Sequence, residues 1–266
     1  MPQALPIITL LTDFGDRDWF VASMKGVILS IQPQATIVDL SHQIPAHAVE
    51  DGAYVLQAAC RYFPPGTIHV AVVDPGVGGA RRALAAKSSR FFFLAPDNGL
   101  LSRILEEERD VEVREITNRQ YQLEPQGRTF DGRDVFAPVA AWLAKSRPFV
   151  SCGPVLSDWT RLPVPVPRWE QQALIGEVTY VDRFGNVITN LRAQQVEEVR
   201  QVTKRQDPAI QIGRYVITGL VGSYSQGESN RPAALINSNG DLEIFLKGGN
   251  AAVLLSAGRH EPVRLT

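Results

Sequence analysis

Several apolar, β-branched segments in the first half of the chain run directly into an acidic residue. Four segments end in this way, at Asp13, Asp39, Asp74 and Asp97. Ligands of open α/β sheets bind beyond the carboxyl ends of the strands, so the four carboxylates predict the polar floor of a cleft. For any one of them, the alternative is that the Asp caps the turn or helix that follows its strand.

Other familiar chemistries fit the residues less well. The segment Asp13–Asp18 carries three Asp, but no further carboxylate or His at matched spacing accompanies it, so no metal site is expected. The loop Gly76–Gly79 lacks the Lys and Ser or Thr of a P-loop and favours close approach of the backbone to a ligand. No GxSxG motif is present, which disfavours a serine hydrolase. Cys60 and Cys152 stand far apart, so neither a disulfide framework nor a thiolate metal site is expected.

A second cluster of functional side chains lies late in the chain. Asp182, Phe184 and Asn186 combine a carboxylate, an aromatic ring and an amide within five positions. These types suit a nucleoside, with the Asp on ribose hydroxyls, the Asn on a base edge and the Phe stacked on the base. A polar β-turn is the alternative. Further upstream, Asp134 is expected to cap the helix that it begins, whereas Asp131 has no evident capping role.

The elements that must position these residues alternate between strand and helix over the first 145 residues. The predicted strands span 6–11, 35–39, 67–73, 91–95 and 111–116, and the predicted helices span 18–31, 49–60, 99–107 and 134–145. This alternation predicts an α/β domain with a mostly parallel sheet.

A Pro-rich segment, Leu162–Pro167, then separates two regions of different composition. We expect an N-terminal α/β domain over 1–162, a linker over 163–168 and a smaller C-terminal β-barrel domain over 169–266. The strands predicted there span 173–182, 187–191, 209–218, 233–236 and 241–245, with a hairpin turn at 237–240. The only helix expected in that region spans 193–199.

Composition excludes several classes of protein. The chain has 266 residues, 44% of them hydrophobic and 21% charged, which is typical of a globular protein. The formal net charge of −1 lacks the basic excess of nucleic-acid-binding proteins, so no nucleic-acid partner is expected. No apolar run has the length of a membrane span, and the start lacks the features of a secretory signal. We therefore expect no membrane association and a cytoplasmic location.

Taken in order, the motifs resemble those of one enzyme family. They are Leu11–Gly15, Val73–Gly78 with Arg81, Ala95–Leu101, Phe130–Pro138, Asp182–Asn186 with Asn190, and Asn237–Gly240. Together they are similar to the S-adenosylmethionine hydrolases, also called hydroxide adenosyltransferases, which are related to fluorinase and chlorinase. The matches cover nearly the whole chain.

The resemblance implies an α/β domain followed by a β-barrel domain, in a homotrimer whose substrate lies between one chain's N-terminal domain and its neighbour's C-terminal domain. It implies attack of water or hydroxide on the ribose 5′ carbon of S-adenosylmethionine, giving adenosine and L-methionine with no cofactor. Asp13 would then bind the ribose hydroxyls. The remaining substrate-binding residues implied are Phe130, Asp182, Phe184, Asn186, Ser238, Asn239 and Ala251.

The resemblance also implies an Asp, an Arg and a His around the attacking water. Asp74 and Arg81 match the first two, but Asp131 stands where the family usually has His. Fluorinase carries Tyr at the position of Asp74, where a carboxylate would repel a halide, so this residue disfavours halogenation. The departure at Asp131 leaves a catalytically weak binder of S-adenosylmethionine or adenosine as an alternative. The second alternative is a metal-dependent phosphohydrolase whose metal would be bound by the strand-end carboxylates.

Overall fold

The computed structural model describes residues 5–124 and 126–266 of the chain. The chain divides into two compact units, one reaching to Pro163 and the other beginning at Val164. The division falls within the Pro-rich segment, where consecutive prolines favour extended backbone. Among the described residues, no helix combines the length and apolar character needed to cross a bilayer.

The first unit contains a seven-stranded sheet. Its strands are β1 (Ile7–Thr12), β2 (Thr36–Ser41), β3 (Ile68–Val72), β4 (Ala83–Lys87), β5 (Phe92–Pro96), β6 (Glu112–Glu115) and β7 (Val155–Leu156). Its helices are α1 (Phe20–Ile31), α2 (Val49–Cys60), α3 (Ser102–Glu107) and α4 (Ala137–Ala144), and the π-helical turn Gly132–Phe136 leads into α4. Short 3₁₀ turns occupy Arg119–Tyr121 and Phe149–Cys152.

The strand order is β2-β1-β3-β5-β4-β6-β7. The pairs β1–β2, β1–β3 and β3–β5 are parallel, whereas β4 is antiparallel to β5 and β6, and β7 is antiparallel to β6. Five strands therefore run in one direction, which confirms the predicted mostly parallel sheet. Asp39 lies inside β2 rather than at its end, so the prediction of a strand ending there is wrong.

Two apolar layers cover this sheet. On one face, α1 and α4 pack with alternate strand residues such as Leu10. On the other face, α2 and α3 pack with the intervening residues, such as Leu11. Because the chain passes from β1 to β2 on one side and then to β3 on the other, the sheet has its topological switch point between β1 and β3. Open α/β sheets bind ligands at such points.

The second unit is largely antiparallel β structure. Its strands are β8 (Arg168–Glu170), β9 (Ala173–Val181), β10 (Val187–Arg192), β11 (Ala209–Ile212), β12 (Tyr215–Thr218), β13 (Pro232–Ile236), β14 (Asp241–Leu246) and β15 (Pro262–Leu265). Its helices are α5 (Ala193–Thr203) and α6 (Ala251–Leu255), with a 3₁₀ turn at Tyr224–Gln226.

These strands form a nearly closed, barrel-like sheet in the order β12-β11-β15-β9-β10-β14-β13, with β8 added beside β9. The end strands β12 and β13 contact each other, and the Val221 amide donates to the Ala234 carbonyl at 2.9 Å. Two sequence predictions are wrong here. The single strand predicted over 209–218 is a hairpin that turns at Gly213, where φ is +52°, and α6 is a second helix.

Candidate active site

The centre of the site in the first unit is an ion pair at the carboxyl end of β3. Arg81 Nε donates to both carboxylate oxygens of Asp74, at 2.9 and 3.1 Å, and Arg81 Nη2 also contacts Asp74. The Asp74 side chain is only 4% exposed. The intervening loop depends on Gly78, whose φ is +77° and where a Cβ would lie 2.3 Å from the Arg128 carbonyl oxygen. Glycine therefore allows the loop to pack closely while returning Arg81 to Asp74.

Asp131 completes this cluster from a distant part of the sequence. Its Oδ2 accepts a hydrogen bond from Arg81 Nη2, so one guanidinium binds two carboxylates. Burial alone would lower the pKa of Arg81, but hydrogen bonds to Asp74 and Asp131 raise that pKa above its ordinary value. The guanidinium stays charged, and the three side chains together carry a single net negative charge when both carboxylates are ionised. We refer to Asp74, Arg81 and Asp131 as the carboxylate–arginine cluster.

A cluster of packed aromatic rings lies next to Asp131 in the chain. The neighbouring Phe130 ring packs against Phe14, Trp19 and Phe20, with centroids 5.9, 5.5 and 5.2 Å away. Phe130 is therefore buried among aromatic side chains. Such packing restrains the start of the π-helical turn, and π-helical segments occur frequently at functional sites.

Asp134 does not have the capping role predicted for it. It lies inside the π-helical turn and is nearly fully buried. Arg133 donates to both of its carboxylate oxygens, at 2.6 and 2.9 Å. Its carboxylate therefore neutralises a neighbouring Arg rather than capping a helix, and Asp131 is the residue that precedes the turn.

Asp13 lies on the loop after β1, beside the end of β3. The register places Thr12 opposite Val72, so Asp13 and Asp74 emerge from adjacent strands at the same edge of the sheet. Asp13 Oδ2 accepts a hydrogen bond of 2.9 Å from the backbone amide of His47.

The other two strand-end candidates have structural partners. Asp39 pairs with Lys25 at 2.6 Å; burial opposes ionisation of Asp39, but Lys25 and His42 lower its pKa below the ordinary value. Asp97 pairs with Arg82 and accepts from the Thr160 amide. Among the described residues, no group of three or more His, Cys, Asp or Glu side chains is arranged to hold a metal ion.

In the second unit, Asp182, Phe184 and Asn186 lie together on the turn between β9 and β10. Asp182 accepts from the amides of Phe184 and Asn186, at 2.9 and 2.8 Å, and from Asn186 Nδ2 at 2.9 Å. The carboxylate thus fixes the turn that presents the other two side chains. Gly185 has φ of +82°, and a Cβ there would lie 2.1 Å from the Asn250 side chain. Phe184 is 76% exposed, which leaves its ring open to a ligand.

This turn borders a pocket of about 660 Å³. Its lining residues are Asp182, Phe184, Asn186, Tyr224, Phe245, Leu246, Lys247, Gly248 and Gly249. Tyr224 packs edge-on against Phe245 with centroids 5.0 Å apart, and its hydroxyl donates to Glu243 at 2.7 Å. Burial, together with Asp182 and Asp241, raises the pKa of Glu243 above its ordinary value.

Sequence reasoning missed Tyr224, Phe245 and Lys247. The available signal was the pair of glycines after Lys247, since glycine allows the tight turn that the backbone makes at this pocket.

The last three predicted residues do not border this pocket. Ser238 and Asn239 lie on the hairpin turn between β13 and β14, where Asn237 Oδ1 accepts from the Asn239 amide at 2.9 Å. Ala251 begins α6 and is fully buried in the core of the second unit. None of the three is among the described residues that line the pocket.

Comparison with known proteins adds to this geometry. The family model described as "SAM hydroxide adenosyltransferase N-terminal domain" matches residues 8–153, and the C-terminal domain model of the same family matches residues 176–264. The chain belongs to the SAM hydroxide adenosyltransferase family. The resemblance inferred from the motifs is therefore confirmed.

Members of this family and related proteins match along nearly the whole chain. A protein from Salinispora tropica named (R)-S-adenosyl-L-methionine hydrolase is 37% identical, with 98% of each chain covered. A protein of the same name from Thermus thermophilus is 36% identical, with 97% of this chain and 98% of that one covered. A fluorinase from an Actinoplanes species is 30% identical over 90% of each. A crystal structure of a Thermotoga maritima protein matches with a TM-score of 0.89 and 33% identity, over 97% of this chain and 99% of that one.

Proposed function

We propose that this protein is an S-adenosylmethionine hydrolase that releases adenosine and L-methionine. The observation that carries the proposal is the carboxylate–arginine cluster at the switch point of the sheet, next to Asp13, in a chain of this family. Full-length relatives named for the same hydrolysis support it.

The reaction requires an oriented nucleophile more than an acid. Water attacks the ribose 5′ carbon while the bond from that carbon to sulfur breaks, and its electron pair stays on sulfur. The sulfonium leaves as a neutral thioether, so no general acid is needed. Asp74 orients the water and accepts its proton, while Arg81 holds the carboxylate in place. The net negative charge of the cluster also favours a cationic sulfonium.

Substrate contacts follow from the placement of the other residues. Asp13 binds the ribose hydroxyls, with Phe130 packed beneath the neighbouring turn. The pocket around Asp182, Phe184 and Asn186 takes the methionine and adenine parts. Ser238, Asn239 and Ala251, which the family resemblance implies, would lie near the bound ligand without lining this pocket.

We also propose that the protein is a cytoplasmic homotrimer. Each substrate then lies between the first unit of one chain and the second unit of its neighbour, where the exposed ring of Phe184 gains a partner surface. Light scattering on the purified protein is expected to give three times the chain mass. A monomer that binds adenosine tightly would contradict this assembly.

The decisive experiment is product analysis after incubation with S-adenosylmethionine in a metal chelator. Equal amounts of adenosine and methionine are expected, and in ¹⁸O-water the label is expected in the 5′ hydroxyl of adenosine. Asp74→Asn is expected to abolish release. The matched control is Asp158→Asn, which removes an exposed carboxylate that pairs with Arg82 at 3.1 Å, and it should leave release unchanged.

The alternative of a catalytically weak binder rests on Asp131 at the position where the family has His. Tight adenosine binding without labelled product would favour it. Activity that appears only on addition of magnesium or manganese would instead favour the phosphohydrolase and refute the proposal.

A further inference from the structure

The loop that carries Asp13 is bonded to the loop that follows β2. The Gly15 amide donates to the His42 carbonyl at 2.8 Å, and the His47 amide donates to Asp13 Oδ2 at 2.9 Å. Gln43 Nε2 donates to Asp16 Oδ1 at 2.5 Å. The orientation of Asp13 therefore depends on the segment around His42.

The side chain of His42 lies at the centre of these contacts and is only 9% exposed. Its Nδ1 is 2.8 Å from Thr12 Oγ1, and its Nε2 is 3.0 Å from Asp39 Oδ1, outside hydrogen-bond geometry. Thr12 Oγ1 also accepts from the Phe14 amide at 3.2 Å. The Thr12 hydroxyl thus accepts from the Phe14 amide and shares a second hydrogen bond with His42 Nδ1, whose direction depends on which ring nitrogen of His42 carries the proton. Thr12 and Phe14 are the two neighbours of Asp13 in the chain.

An Asp, a His and a Thr in this order resemble a nucleophilic triad. Thr12 is completely buried, however, and its hydroxyl is engaged on both sides. It is not placed to attack a substrate. Its contacts instead fix the backbone on both sides of Asp13.

We propose that Thr12 and His42 are positioning residues that hold Asp13 for the ribose hydroxyls. The inference rests on the proposed function, in which Asp13 binds ribose. Breaking the bond between Thr12 and His42 is expected to weaken adenosine binding roughly 3- to 10-fold, the equivalent of one hydrogen bond. Turnover at saturating substrate is expected to change little, because ribose is bound in both the ground state and the transition state.

Two matched pairs of variants isolate this bond. His42→Asn keeps a polar group that can donate or accept where Nδ1 stands, whereas His42→Gln keeps a polar group only where Nε2 stands. Thr12→Ser keeps the hydroxyl, whereas Thr12→Val removes it at nearly constant shape. Affinity is measured by calorimetry with adenosine and with 2′,3′-dideoxyadenosine, alongside kcat and KM for S-adenosylmethionine. Thermal unfolding identifies any variant that fails to fold. If a His42 variant fails, the Thr12 pair provides the comparison, and the reverse also holds.

The expected result is weaker adenosine binding in His42→Gln and Thr12→Val, with near-native affinity in His42→Asn and Thr12→Ser. The difference within each pair should vanish with dideoxyadenosine, because that ligand lacks the hydroxyls. A purely structural role would weaken both ligands equally and would refute the inference, as would equal adenosine affinity in all variants. Absence of adenosine binding by the unchanged protein would refute the inference, and absence of S-adenosylmethionine hydrolysis as well would refute the proposed function itself.

Discussion

Asp131→Asn is the substitution that tests the carboxylate–arginine cluster most directly. It removes one of the two carboxylates that bind Arg81 and keeps the side-chain size. A hydrogen bond to a charged group is worth about 1.5–3 kcal/mol, and the 22% exposure of Asp131 puts its contact at the lower end of that range. Because about 1.4 kcal/mol corresponds to a factor of ten, the limiting kcat is expected to fall roughly 10-fold.

The pH dependence of hydrolysis should change in the same variant. Besides the water whose proton Asp74 accepts, a bound water that loses its proton to solvent at higher pH supplies hydroxide as the nucleophile, and the net negative cluster opposes that added negative charge. The native rate is therefore expected to rise with pH. With Asn at position 131 the cluster is neutral, and the rise is expected to begin at lower pH although its plateau is lower.

A second substitution, Asp131→His, introduces the residue usual in the family. Its ring nitrogen can accept from Arg81 or take up a proton from water, and an amide cannot do the latter, so we expect a kcat above that of Asp131→Asn. Adenosine affinity should stay within about twofold of native in both variants, since the proposed function assigns position 131 to the water rather than to the base. The assay is the hydrolysis rate between about pH 6 and pH 10, with calorimetric titration of adenosine.

Asp158→Asn serves again as the control, because it removes a carboxylate from a different arginine. It should leave kcat and the pH profile unchanged. If both Asp131 variants also match the native protein in rate and profile, Asp131 is a loop residue without a role in catalysis. The three-residue water site would then be incomplete, and the weak-binder alternative would gain support.

Three further predictions concern binding and stability. Asp13→Ala should weaken adenosine binding by about 1.5–3 kcal/mol in calorimetry, and an unchanged Kd would remove Asp13 from the site. Phe184→Ala should weaken adenosine binding several-fold while leaving Tm unchanged, because the ring is largely exposed; a large fall in Tm would show a structural role instead. Burial lowers the pKa of His69 to about 3 from 6.5, so only the unfolded chain takes up this proton as the pH falls below about 6.5, and stability is lost from there down to about pH 3. Denaturant unfolding at pH 7.5 and pH 4.5 should show roughly 2–3 kcal/mol more loss for the native protein than for His69→Gln, and equal losses would contradict the reasoning.

Many helices and strands of the first unit could be predicted from the sequence because the patterns that indicate them involve only neighbouring residues. The helical period over α1 and the β-branched run of β1 depend on neighbouring residues, and so does the position of Asp13 at the end of that strand. In contrast, β4 has the sequence ALAAK, which has low β propensity, and it forms a strand because β5 and β6 pair with it on either side.

The contacts that form the site join residues far apart in the sequence, which local patterns cannot predict. Arg81 and Asp131 are 50 positions apart, and Tyr224 and Glu243 are 19 apart. Asp39 was predicted to end its strand because a β-branched run leads directly into it, yet β2 continues past it to Ser41. Local patterns singled out Asp74 as a strand-end carboxylate and Asp131 as an Asp without a capping role, whereas Arg81 was predicted only from the family resemblance. Their joint hydrogen bonding became visible only in the folded chain.

The charge of the cluster connects substrate binding with the chemical step. With a neutral His at position 131, one Asp and one Arg would sum to zero, whereas two carboxylates around Arg81 leave a net negative charge. That charge attracts the positively charged sulfonium in the ground state. The attraction is lost as the sulfonium becomes a neutral thioether. The negative charge also opposes loss of the water's proton to solvent, which would leave hydroxide beside two carboxylates. Binding energy that stabilises the substrate more than the transition state lowers KM without raising kcat. We therefore expect the charge of Asp131 to favour binding of the sulfonium, while its hydrogen bond to Arg81 supports the turnover that Asp131→Asn is expected to lose.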